Sequence, residues 1–81
     1  MSNLHQYFDR LATVHGDAKT LETTAKCVYL EWLMSLPSNV TPQNAARYVL
    51  DRAECYKAEK GRFKGALAEF VWLVRQTCRA A

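Results

Sequence analysis

The chain has 81 residues and bounds itself to one domain with a modest core, because a chain this short can bury only a limited share of its surface. Hydrophobic residues make up 49% and charged residues 23%, a globular balance that excludes a disordered polymer. No apolar run approaches the roughly 18 residues that span a bilayer, and the N-terminus MSNLHQYFDR is not a secretory signal, so the sequence reads as that of a soluble, cytoplasmic protein. The formal charge of +3 is unevenly spread: residues 1–16 are neutral, residues 17–40 carry −1 and residues 41–81 carry +4.

Ser2 or Asn3 can cap a first helix, in which Leu4, Tyr7, Phe8, Leu11 and Val14 recur at spacings of three and four. Gly16 is expected to end it, with His15 near the apolar face at the helix end, where an imidazole is ordinarily structural. Asp17 or Thr20 starts a second helix reaching about Leu36. One of its faces is Leu21, Ala25, Val28 and Trp32, widened by Tyr29; Leu30, Leu33 and Met34 stand on the other side. A helix apolar on two sides is either central in its bundle or shared with a second chain, so this stretch is expected to organise the rest.

Pro37 stops that helix, since the residue before a proline is driven out of the helical region and proline itself has no donor. Thr41-Pro42 restarts the chain, with a threonine cap and a proline at the first helical position. The short connection over 37–41 predicts that helices two and three are neighbours in space. The third helix runs to about Lys60 on a face of Ala45, Ala46, Val49, Ala53 and Tyr56, where small side chains allow close approach. On its outside Arg47 with Asp51, and Glu54 with Lys57, are spaced to pair. Gly61 marks a stop, although a lone glycine costs only about 1 kcal/mol and would allow the third and fourth helices to run on as one. From about Arg62 to Cys78, Phe63, Leu67, Phe70, Val71, Val74 and Cys78 form the cleanest apolar stripe; Trp72 points opposite to it, toward Ala68, Arg75 and Gln76. The expected fold is all-α, a small antiparallel bundle of three to four helices.

The sequence carries no recognisable catalytic constellation. The glycines of Gly61-Arg62-Phe63-Lys64-Gly65 lack the spacing and preceding strand of a phosphate loop, and no nucleophile elbow occurs. Cys27, Cys55 and Cys78 are too far apart for a zinc site and odd in number, so they read as reduced thiols packed as small apolar groups. No catalytic residue, cofactor or metal is expected, and the protein reads as non-enzymatic.

Two features point to binding. Trp72, Leu30 and Met34 lie off the faces that build a bundle, and with Arg75 they are candidates for contact with another protein or a second copy of the chain, in a homodimer or higher oligomer. Lys57, Lys60, Arg62 and Lys64 surround Gly61, and amides at the start of the fourth helix would add positive potential there, a candidate site for an anion. A compact chain of this length without a catalytic motif is typical of the small proteins that phages and plasmids encode to bind and block a host component. The function expected is therefore that of a small inhibitor or adaptor that binds a protein, the alternative being a binder of nucleotide or nucleic acid through the turn at 57–64.

Overall fold

The computed structural model describes residues 4–79, which form four helices: α1 (Leu4–Ala12), α2 (Ala18–Met34), α3 (Pro42–Lys60) and α4 (Ala66–Arg79). They pack into a small all-α bundle, as the periodicity predicts. The caps expected at Ser2 or Asn3 lie outside the described residues.

Helix boundaries follow local chemistry where a side chain supplies it. Asp17 caps α2 by accepting from the Thr20 amide at 2.8 Å, and this hydrogen bond holds its carboxyl below the usual aspartate value. Thr41 caps α3 by accepting from the Asn44 amide at 3.2 Å, with Pro42 in the first turn as predicted. Gly61 takes φ +90° beyond the end of α3, and its amide donates to the Lys57 carbonyl at 2.9 Å, so α3 and α4 are separate helices.

Two ends differ from expectation. α1 stops at Ala12 rather than at Gly16: the Val14 amide bonds back to the Leu11 carbonyl at 3.3 Å, and the Thr13 hydroxyl donates to the Arg10 carbonyl at 2.9 Å. α4 begins at Ala66 rather than Arg62. The cause is Gly65, which sits at φ +56° with its α-carbon so close to the end of α1 that a β-carbon would meet the Val14 carbonyl oxygen at 2.7 Å. A left-handed residue held there interrupts any helix running through 62–65.

The core is centred on α4, not on α2. α4 buries Ala66, Leu67, Phe70, Val71 and Val74, and the other three helices all pack against it. α2 contributes Ala25 and Trp32 as buried residues, with Leu21, Val28 and Tyr29 half-buried beside them. Trp32 meets Phe70 edge to face at 6.4 Å between ring centroids. Despite their short connection, α2 and α3 scarcely touch each other; each packs against α4 instead. Tyr29 of α2 hydrogen-bonds Thr77 on α4, while Glu54 of α3 faces Arg75 of α4 at 4.0 Å. α1 closes the core on α3 and α4: Phe8 packs edge-on to Tyr56 at 5.3 Å, and the Tyr56 hydroxyl donates to Asp9 Oδ1 at 2.8 Å.

Candidate functional site

The basic turn is assembled differently from expectation. Lys57, Lys60, Arg62 and Lys64 are all exposed. Lys57 Nζ stands 5.8 Å over the half-buried Phe63 ring, a cation–π contact that draws one of the four cations onto the protein's own surface. The helix amides expected to join them begin four residues later, at Ala66, and the Leu67 amide is taken by the Lys64 carbonyl at 3.1 Å. The turn is thus a set of exposed cations without the helix start that the sequence placed among them.

Trp72 lies opposite the buried stripe of α4, as predicted, with 54% of its surface exposed. Ala68, Glu69, Arg75 and Gln76 around it are exposed too. With Glu22 of α2, the residues Ala68, Glu69 and Trp72 line an open depression on this side of the bundle. Arg75 reaches Glu54 only at the outer limit of an ion pair, both side chains being largely solvated, and such a contact is worth under about 1 kcal/mol. The expected pairs Arg47–Asp51 and Glu54–Lys57 do not close; among the described residues the ion pairs are Lys26–Glu22 and Arg75–Glu54.

The outer side of α2 is more extensive than the helical spacing of Leu30 and Met34 alone suggests. Leu30 is 55% and Met34 86% exposed, as their place off the main face implies. Cys27 is exposed beside them, as are Thr23 and Thr20 one and two turns earlier. The thiols are therefore not all packed: Cys27 and Cys55 are exposed, and Cys78 alone is half-buried against the core. The signal that places Cys27 outside was in the spacing, because it falls one turn before Leu30 and opposite Ala25 and Trp32. Tyr48 on α3, 52% exposed, is a further outer aromatic, outside the faces that helical spacing singles out.

The histidines add no site. His15 is exposed rather than against the apolar face, since α1 has already ended before it, and His5 lies 5.8 Å from the Tyr56 ring. Among the described residues no three His, Cys, Asp or Glu side chains group as metal ligands, and no helix is long and apolar enough to cross a membrane. The arrangement presents apolar and aromatic side chains on the outside of α2 and α4. No protein-family model matches the chain, and neither a curated protein nor a solved structure is found to be similar to it.

Proposed function

We propose that the protein is a non-enzymatic inhibitor or adaptor that binds another protein through the outer face of α4, centred on Trp72 and Arg75. The observation that supports this most is the 54% exposed Trp72 beside an open depression, in a bundle whose core is closed without it. Tryptophan and arginine are the residues in which interfaces concentrate binding free energy, and a central aromatic ringed by polar groups is the usual layout of such a contact. Glu22 and Glu69 on the rim favour a partner segment with a basic side chain, which the indole face would also attract.

A second reading, an anionic ligand such as nucleotide or nucleic acid held by the turn at 57–64, is favoured by the exposure of all four cations there. Salt separates the two, because phosphate contacts weaken steeply as ionic strength rises and an apolar anchor does not. The test is capture from cell extract at low and high salt with the parent, Trp72→Ala, and a double reversal of Lys60 and Arg62 to glutamate. The proposal predicts a protein retained in near-stoichiometric amount at high salt and lost with Trp72→Ala. Capture of nucleic acid that the double reversal abolishes and Trp72→Ala leaves intact would contradict it.

A further inference from the structure

The outer side of α2 carries a pattern that belongs to a helix with a helical partner. Thr20, Thr23, Cys27, Leu30 and Met34 are spaced three, four, three and four, and every one of them is exposed. That alternation is the spacing of the core positions in a two-stranded coiled coil, here over two heptads, with Thr20, Cys27 and Met34 in one class of position and Thr23 and Leu30 in the other. The inner residues Ala25, Val28 and Trp32 lie on the opposite side, spent on the bundle's own core. α2 therefore has two faces, and only one is covered by the described residues.

Charge beside the seam selects the occupant. Lys26 flanks it on one side and Glu31 on the other, five residues apart and both exposed. In a parallel pair of identical helices these two positions meet across the seam, so Lys26 of each copy faces Glu31 of the other, and the pair forms twice. An antiparallel pair brings like edges of the two seams together, so Lys26 and Glu31, which lie on opposite edges, would not meet. Among the described residues Lys26 pairs with Glu22 at 3.5 Å, an exposed contact that it can exchange. We propose that the outer stripe of α2 is a self-association surface on which a second copy of this chain seats its own α2, parallel and related by a two-fold axis. Cys27, Leu30 and Met34 are its centre. This goes beyond the protein contact at Trp72 and does not depend on it.

The experiment uses purified chain with nothing added, and reads mass by sedimentation equilibrium as concentration rises. The parent should pass from one chain to two. Lys26→Glu would set two carboxylates against each other across the seam, and Glu31→Lys two ammonium groups. Each alone should therefore weaken the dimer by about tenfold or more. Mixed, they should form a heterodimer, because each then offers what the other lacks. Under diamide, a variant retaining Cys27 with Cys55→Ser and Cys78→Ser should cross-link between copies. Circular dichroism checks that each variant is folded, and Leu30→Gln replaces either reversal that is not. A parent that stays monomeric at every concentration would overturn the proposal. So would a dimer indifferent to both reversals, or single variants that fail to pair when mixed. Trp72→Ala should leave the dimer intact, so loss of the partner protein and loss of self-association are read separately.

Discussion

α2 and α4 each carry apolar residues on more than one side, yet α4 buries five of its fourteen residues and α2 only two of its seventeen. The difference lies in how the apolar residues are distributed around each helix. Those of α4 crowd onto one broad arc, with Trp72 alone opposite, and that arc is wide enough to take α1, α2 and α3 together. Those of α2 split into two opposed arcs, an inner one ending in Trp32 and an outer one ending in Met34. A bundle this small covers the inner one together with Leu33, which the sequence assigns to the outer side but which is half-buried against the core. Apolar character on two sides of a helix thus marks a helix at the edge of the bundle as readily as one at its centre. The arc that the fold leaves open is the one that the proposed self-association would cover.

That contrast can be broken from the inside first. Trp32→Ala removes the largest side chain that α2 sends into the core and leaves Phe70 without its edge-to-face neighbour, at a cost of about 3–5 kcal/mol. For so small a domain this approaches the whole stability, and thermal denaturation should show no cooperative transition or one displaced far downward. Melting within a few degrees of the parent would mean that α2 is not attached through this face.

Gly65→Ala tests what holds α4 at the centre. The backbone at φ +56° disfavours any β-carbon, and an added one would lie 2.7 Å from the Val14 carbonyl oxygen and 3.1 Å from those of Ala12 and Leu11. The conformation alone costs about 1–2 kcal/mol and the clash adds to it, so urea denaturation should show a loss of about 2–3 kcal/mol. An unchanged midpoint would mean that the start of α4 does not rest on the end of α1.

Tyr56→Phe is a smaller break, at the seam of α1 and α3. It removes the hydrogen bond to Asp9 at a cost of about 1 kcal/mol. Burial first, and then the Asp9 hydrogen bond and charge, push the Tyr56 phenol above its ordinary 10.0. A folded value above the unfolded one favours the protonated form, so this contribution is full below pH 10.0 and lost as pH rises through the folded value. The parent should therefore lose more stability than Tyr56→Phe on going to strongly alkaline solution. Parallel loss in both would show that the phenol is not responsible.

What was legible in the sequence was what neighbouring residues decide. Thr41-Pro42 marks the start of α3 because cap and proline act within one turn, and the stripes of α3 and α4 are legible because burial repeats with the helix. The late start of α4 was not legible. Gly65 looks like any glycine until the carbonyls of Leu11, Ala12 and Val14, some fifty positions away, are brought against it. The separation of α2 from α3 was hidden for a similar reason: a short connection brings two helix ends together, but α4 offers both helices a better apolar surface than either offers the other. At the candidate site, Trp72, Leu30 and Met34 were found by exclusion from the core faces. Cys27 was missed because a cysteine is read as buried until its neighbours on the helix are shown to be exposed.

On the reading proposed above, the outer residues of α2 and α4 serve contact and not folding. The most direct measurement is the thermal midpoint, at a concentration too low for self-association, of one chain carrying Leu30→Gln, Met34→Gln and Trp72→Gln together. Exposed substitutions of this kind are individually near neutral, so the variant should melt cooperatively within about 8 °C of the parent. Were these side chains part of the core, three such losses at about 1.5–3 kcal/mol each would exceed what holds so small a domain together. A variant without a folded baseline would place these side chains in the core instead.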